Sequence, residues 1–125
     1  MFAGVTLPAQ LIIQTVAGGG PNNIAALEAC LNYPAALAVD SSGNLYIATA
    51  SQVLKVDSSG VLTLVAGSGL FGFAGDGGPA TKAGLTNPLG VAVDSSGNVF
   101  IADQVSNRIR KVAAMSGVNY FSRSR

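Results

Sequence analysis

A carboxylate and two guanidinium groups follow one another closely near the end of the chain. Asp103 ends an apolar stretch, and Asn107, Arg108 and Arg110 come shortly after it. A carboxylate at the end of a half-buried strand needs a charged or hydrogen-bonding partner, which either arginine could supply across a hairpin. The group therefore predicts either an internal ion pair that orders the protein or a polar surface that binds a ligand.

Asp76 is a further acidic side chain, in the glycine-rich sequence GFAGDGGPAT at residues 72–81. Glycine-rich loops hold phosphate groups when a Lys-Ser or Lys-Thr pair and a helix follow directly, and neither follows here. We instead expect the glycines to let a wide loop turn and Asp76 to accept hydrogen bonds from backbone amides. The candidate ligand or partner surface thus comprises Asp76, Asp103, Asn107, Arg108 and Arg110.

The sequence Asp-Ser-Ser-Gly-Asn occurs at residues 40–44 and again at residues 94–98. Oxygen-bearing side chains at alternating positions are found in calcium loops, but the distal glutamate is absent and the negative charge is too small. Between two apolar stretches the same residues form a hairpin loop, because Asp bonds its own backbone and Gly accepts a positive φ. We predict turns at both places and no metal site.

Catalytic groups are scarce in this chain. It has no histidine, six acidic residues dispersed along its length and one cysteine, Cys30, which cannot form an intramolecular disulfide. Cys30 has no histidine base to activate it, and its Ala- and Leu-rich neighbours predict a small buried side chain. No general acid–base pair is visible. We predict no catalytic residue and no cofactor.

Composition excludes two further classes of protein. The chain is 49% hydrophobic with a mean hydropathy of +0.46, but its apolar residues come in short bursts, far from the roughly 20 consecutive residues of a membrane span. Charged residues are 10% of the total and the net charge is +1, which gives no electrostatic footprint for nucleic acid. We therefore expect no membrane span and no nucleic-acid partner.

The polar residues lie within a repeat. Residues 34–48 and 88–102 are identical at ten of fifteen positions, which indicates a repeated structural unit. Short apolar stretches separated by turn residues predict antiparallel strands, with the first strand of each copy buried on both faces. Tyr46 and Phe100 occupy equivalent positions and are expected to pack between units. The predicted strands are residues 37–39, 45–48, 52–56 and 61–65 in the first copy, residues 91–93, 99–102 and 107–112 in the second, and residues 11–16 before them.

These patterns resemble a known family. The sequence PLGVAVDSSGNVFIAD followed by NRIRKV, at residues 88–103 and 107–112, is similar to NHL repeats, and GFAGDGGPAT resembles the inter-blade loop of a bacterial branch of those proteins. The resemblance implies an all-β fold made of four-stranded antiparallel β-propeller blades, six to a ring in the family. The first copy departs from the pattern, since Thr49 stands where the second copy has Asp103, and Gln52-Val53-Leu54 replaces the basic sequence Asn107-Arg108-Ile109-Arg110.

The resemblance also implies the order of strands and a division of the chain. Strands that end in Ala-Val-Asp are expected to be innermost, and strands that end in Val-Ala-Gly outermost. The expected segments are an N-terminal extension (1–10), the outer strand of a preceding blade with its loop (11–33), a first blade (34–66), a glycine-rich inter-blade loop (67–87), a second blade (88–118) and an atypical tail (119–125).

About two blades make an incomplete propeller, because repeat units of this kind need neighbours on both sides. We expect the chain to be a fragment of a larger protein, lacking blades at both ends. The rival expectation is self-association, in which three copies build six blades and residues 11–16 of each copy complete a neighbour's blade.

Two function classes follow from the resemblance. The first is a non-enzymatic scaffold that binds a protein, peptide or glycan through its loop face. The second is a piece of a propeller enzyme, a lyase or hydrolase, whose catalytic residues lie in other blades. The family context implies a secreted or cell-envelope location, although residues 1–10 lack the basic and long apolar regions of a secretory signal.

Overall fold

The computed structural model describes residues 11–17, 31–72 and 74–114, which form two antiparallel β-sheets. A 3-10 turn, Ala80–Lys82, lies in the loop between the sheets. The all-β class and the predicted strands in both copies of the repeat are confirmed. The strands of the first sheet are β1 Ala36–Val39, β2 Leu45–Ala48, β3 Val53–Val56 and β4 Leu62–Ala66, and those of the second are β5 Pro88–Val93, β6 Val99–Asp103 and β7 Arg108–Val112.

Each sheet is a meander in which consecutive strands are hydrogen-bonded neighbours, in the orders β1-β2-β3-β4 and β5-β6-β7. The predicted turns connect the first two strands of each sheet. Gly43 and Gly97 adopt φ values of +87° and +89° there, a conformation that costs glycine little. Asp40 accepts hydrogen bonds from the amides of Ser42 and Asn44, both at 2.9 Å. The repeat is therefore a pair of propeller-type blades, with the first blade complete.

The two blades share one apolar core. We call face A the side of a blade that carries Tyr46 in the first blade or Phe100 in the second, and face B the opposite side, which carries Ile47 or Ile101. Face A of the first blade packs against face B of the second, where Tyr46 and Ile101 belong to the same buried cluster. The position predicted for Tyr46 is confirmed.

The prediction that the first strand of each blade is buried on both faces is wrong. Along β1, Leu37 and Val39 are 65% and 64% exposed, whereas the alternate alanines are half-buried. Leu37 and Val39 lie on face B of the first blade, and no blade among the described residues packs there. For the same reason Phe100, on face A of the second blade, is only half-buried and does not lie between blades.

Residues 11–16 do not form the predicted strand. A strand needs a neighbour to satisfy its backbone groups, and none of the described residues pairs with this segment. Three predictions lie outside the described residues: the extension at residues 1–10, the buried side chain of Cys30 and the tail at residues 119–125.

Candidate functional site

Antiparallel pairing divides the polar loops between two ends of the blades. The inter-blade loop (67–87) and the short turns after β2 and β6 lie at one end, which we call the loop end. The Asp-Ser-Ser-Gly turns at residues 40–44, 57–60 and 94–98 lie at the opposite end, which we call the turn end.

Arg110 is the centre of the polar contacts at the loop end. From the middle of β7 its Nε donates to Asp76 Oδ1 at 2.8 Å, and its Nη1 lies 3.3 Å from Asp103 Oδ2. The same guanidinium donates to two loop carbonyls, Gly84 O at 2.8 Å and Ala74 O at 3.4 Å. An arginine can serve so many acceptors because its five N–H groups are fixed in one plane. Arg110 therefore fastens the glycine-rich loop to the second blade.

Asp103 is buried beneath this contact, with 1% of its surface exposed. Its Oδ1 accepts a 2.9 Å hydrogen bond from the Thr86 amide, at the end of the loop. Thr86 Oγ1 in turn accepts from Gly72 N at 2.5 Å and donates to Gly72 O at 3.1 Å. The sequence predicted either an internal ion pair or a ligand-binding surface. The structure contains the internal ion pair, which joins Asp103 to Arg110. The expectation that Asp76 accepts from backbone amides is wrong, since its partner is the Arg110 guanidinium.

Asn107 and Arg108 lie where the turn after β6 leads into β7. Asn107 has a φ of +58° and its amide donates to Gln104 O at 3.1 Å, so it shapes the turn between β6 and β7. Arg108 is exposed at the start of β7, where its Nη1 donates to Ser106 O at 3.2 Å. The five candidate residues are thus brought to one region, where the Arg110 guanidinium binds both Asp76 and Asp103 and Arg108 is paired with Asp103 across the two strands.

The first blade has no such ion pair. Thr49 and Leu54 stand at the positions of Asp103 and Arg110. Thr49 Oγ1 donates within its own turn to Gln52 O at 3.1 Å, and Leu54 is buried in the apolar cluster on face B. The polar network therefore belongs to the second blade alone and cannot be a feature required by every blade.

The sequence reasoning missed an apolar tip on the inter-blade loop. Leu70 and Phe71 are 72% and 68% exposed, although the backbone on both sides of them is held. Ser68 N donates to Ala83 O at 2.8 Å before the tip, and Gly72 bonds Thr86 after it. The sequence does contain a signal for such an exposed tip, because Leu70 and Phe71 stand between two glycines, Gly69 and Gly72.

Carboxylates at the turn end are occupied by their own turns. Asp40 accepts hydrogen bonds from the Asn44 side chain and backbone, both at 2.9 Å, and these contacts hold the pKa of Asp40 below its usual 3.8. Bonds from Asn98 lower the pKa of Asp94 in the same way. Tyr46, whose hydroxyl lies 3.3 Å from Asp40, has its pKa raised by burial and by the neighbouring charge. The carboxylate oxygens of Asp40 and Asp94 therefore stabilise their own hairpin turns.

In the part of the chain that the structure describes, no helix has the length and apolar character needed to cross a bilayer.

Comparison with known proteins finds one family model and several relatives. Residues 85–112, which span the end of the loop and the three strands of the second blade, match the model of the NHL repeat. Teneurin-4 of Homo sapiens and Teneurin-4 of Mus musculus are each 35% identical to this chain over 68% of its length. The chain corresponds to only about 4% of either relative's length.

Two solved structures from Bacteroides thetaiotaomicron share the fold. A protein of unknown function superposes with a TM-score of 0.61 at 24% identity, over 76% of this chain and 26% of that one. A protein described as a candidate phosphatase superposes with a TM-score of 0.56 at 20% identity, over 76% of this chain and 25% of that one. Residues 85–112 are thus an NHL repeat, and the two solved structures share the fold of the blades that contain it.

Proposed function

We propose that the chain is a non-enzymatic binding module that recognises a protein or peptide through its loop end. The observation that carries the proposal is the exposed pair Leu70 and Phe71 on an anchored loop. An apolar side chain held rigidly in water loses little conformational entropy when a partner covers it, so its burial contributes to binding with a small ordering cost.

The anchoring extends from the tip to its surroundings. Thr86 bonds the backbone of Gly72 through its hydroxyl, and its carbonyl accepts from Val105 N at 3.3 Å. Val105 is itself 59% exposed, so the turn between β6 and β7 presents a third apolar side chain beside the same residue. Rigid loops that carry apolar side chains are common recognition surfaces in proteins with repeated scaffolds.

The buried carboxylate of the loop end has a structural role. Asp103 is 1% exposed and accepts hydrogen bonds from Arg110 and from the Thr86 amide. A general acid or base needs a carboxyl group that can reach a substrate proton, and the burial of Asp103 prevents this. The family analogy adds a secreted or cell-envelope location to the proposal.

Selection of a displayed random-peptide library on the immobilised chain tests the proposal. Peptides that are enriched are then titrated by calorimetry against the chain and against Leu70→Asp/Phe71→Asp. We expect the double variant to bind at least about tenfold more weakly, since a tenfold change corresponds to about 1.4 kcal/mol and two buried apolar contacts are lost.

Val61→Asp is the matched control, because Val61 is an exposed apolar residue at the turn end. It should bind the selected peptides as the unmodified chain does. Equal binding by the Leu70/Phe71 variant would place recognition elsewhere, and a selection that enriches no peptide would contradict a peptide ligand. Binding to an array of glycans that is lost in the same variant would assign the surface to the glycan alternative.

A further inference from the structure

A pair of exposed side-chain amides joins the end of the inter-blade loop to the turn after β6. Asn87 Nδ2 donates to Gln104 Oε1 at 2.7 Å, and both residues are exposed at the loop end. Each side-chain amide carries one oxygen and one NH2 group. A single bond between the two therefore leaves the Asn87 oxygen and the Gln104 NH2 group without a hydrogen-bond partner among the described residues. The pair thus presents one acceptor and one donor to solvent.

The backbone holds both amides in place. Asn87 has a φ of +59°, its N–H donates to Ala50 O of the first blade at 2.8 Å, and the next residue, Pro88, is fully buried. Gln104 follows the end of β6 directly, and its carbonyl accepts from Asn107 N at 3.1 Å. Groups whose backbone is already fixed lose little conformational entropy when they bind. The donor and the acceptor are therefore preorganised for a ligand.

The fold does not require the bond between these amides. The first blade has Tyr33 at the position of Asn87 and Ala50 at the position of Gln104, so it cannot form the pair, yet its four strands are complete. Tyr33 adopts the same left-handed conformation, with a φ of +56°. A hydrogen bond between exposed groups replaces bonds to water and adds little to stability. A purely structural role thus leaves the amide pair of the second blade unexplained.

The amide pair lies beside the apolar tip of the loop. Thr86 bonds Gly72, the residue after the tip, through its hydroxyl, and its carbonyl accepts from Val105 N at 3.3 Å. In the sequence, Asn87 follows Thr86 and Gln104 precedes Val105. Because successive Cα atoms are only about 3.8 Å apart, about four residues of an extended peptide, at roughly 3.3 Å each, reach from the amide pair to the tip.

From these observations we propose that the amide pair binds the main chain of an extended peptide whose apolar side chains contact the tip. In an extended chain the N–H and C=O of one residue point to the same side, as in the pairs of an antiparallel sheet that exchange both bonds. The peptide N–H donates to the oxygen of Asn87, and the NH2 group of Gln104 donates to the peptide C=O. The inference rests on the peptide binding proposed above and adds the residues that select an extended main chain.

A peptide is the occupant because two kinds of complement are needed side by side. Leu70, Phe71 and Val105 are exposed and offer apolar contact, whereas the amide pair offers a donor and an acceptor without charge. An extended peptide supplies both, since its side chains alternate with main-chain N–H and C=O groups. In known modes of peptide recognition, main-chain hydrogen bonds give affinity and side-chain contacts give specificity.

Calorimetric titration with the peptides enriched in the selection tests the contact. Asn87→Gly/Gln104→Ala removes both amides, because glycine accepts the positive φ of position 87 and alanine is the residue that the first blade has in place of Gln104. Each enriched peptide should bind this variant at least about fivefold more weakly, since two hydrogen bonds are lost. Circular dichroism should show an unchanged fold. Unchanged affinity of the folded variant would overturn the proposal.

Gln14→Ala is the matched control, because Gln14 is an exposed glutamine that precedes both blades. It should bind the enriched peptides as the unmodified chain does. Leu70→Asp/Phe71→Asp separates the two proposals. Weaker binding by that variant, with unchanged binding by Asn87→Gly/Gln104→Ala, would overturn the main-chain contact and leave the tip as the binding surface. A selection that enriches no peptide would overturn both.

N-methylated peptides test whether the main chain itself is bound. In the tightest enriched peptide, one backbone N–H at a time is replaced by N–CH3. At one position the methyl group should weaken binding to the unmodified chain at least about fivefold. The same methyl group should have little further effect on Asn87→Gly/Gln104→Ala, because the acceptor of that N–H is already absent. Equal effects of every methylation on the two proteins would overturn the proposal.

Discussion

Arg110 Nε donates a 2.8 Å hydrogen bond to Asp76 Oδ1, although 34 positions separate the two residues along the chain. The bond joins the third strand of the second blade to the middle of the glycine-rich loop that precedes that blade. The two partners differ greatly in environment, since the Arg110 side chain is 8% exposed and that of Asp76 is 72% exposed. The buried end of the contact, Arg110 with Asp103, should therefore contribute much more to stability than the exposed end.

Arg110→Ala should lower the free energy of unfolding by about 3 kcal/mol, because it leaves the Asp103 carboxylate buried without its counter-charge. Asp76→Ala should lower it by less than about 1 kcal/mol, since water replaces the contact at that exposed carboxylate. Urea unfolding followed by circular dichroism measures both values. Equal effects of the two substitutions would contradict the assignment of the buried pair as the stronger contact.

The first blade supplies a control for the same ion pair. Asp103→Thr/Arg110→Leu introduces the residues found at the equivalent positions, Thr49 and Leu54. Because neither charge then remains buried, the double variant should be more stable than Arg110→Ala. Its loop 67–87 should nevertheless be cut faster by protease, since Arg110 no longer holds the carbonyls of Ala74 and Gly84. An uncut loop would mean that Arg110 does not hold it.

The turn end should give the chain an acid-sensitive component of stability. Bonds from Asn44 hold the pKa of Asp40 below its usual 3.8 in the folded chain, so protonation favours unfolding. This contribution to stability is complete when the pH is above the pKa that Asp40 has in the unfolded chain. It is lost as the pH falls through the lower pKa that Asp40 has in the folded chain. Asn44→Ala should raise the pKa of Asp40 and so reduce the loss of stability at acid pH. Titration of the Asp40 carboxyl carbon by NMR measures the shift.

Ser41→Ala is the control for that titration, because Ser41 is an exposed residue of the same turn. It should leave the pKa of Asp40 where it is in the unmodified chain. A pKa of Asp40 that does not move in Asn44→Ala would show that the backbone amides alone hold the carboxylate in its charged form.

Gly67 and Gly43 should respond differently to alanine. Both have positive φ, +99° and +87°, which costs an alanine about 1 kcal/mol. A Cβ at Gly43 would meet nothing within 4 Å, whereas a Cβ at Gly67 would collide with the Ser51 carbonyl oxygen and lie 2.8 Å from Gln52 Cα. Gly67→Ala should therefore cost about 3 kcal/mol and Gly43→Ala about 1 kcal/mol in urea unfolding. Similar costs would show that the backbone near Ser51 can move aside.

The sequence predicts what depends on neighbours along the chain. The turns at residues 40–44 and 94–98 form as predicted because Asp, Gly and Asn satisfy the backbone locally. The partner of Asp76 could not be predicted, because it depends on how a 21-residue loop folds back onto β7. The strand predicted for residues 11–16 fails for a related reason, since a strand exists only with a neighbour. The exposed face of β1 could not be predicted either, because burial depends on whether another sheet packs there, and none of the described residues supplies one.

Leu85 should connect the stability of the loop to that of both blades. It is 1% exposed and packs in the cluster that joins Tyr46 and Ala48 of the first blade to Ile101 of the second. Leu85→Ala should cost about 3 kcal/mol, through lost apolar burial and the cavity left behind.

Leu70→Ala, on the same loop but exposed, should change stability by less than about 0.5 kcal/mol. Amide hydrogen exchange distinguishes a shared core from two independent ones. In Leu85→Ala the protection of amides in β2 and β6 should fall by the same free energy, because the cluster draws side chains from both strands. Loss of protection in β6 alone would show that the blades unfold separately and that the contact between them contributes little.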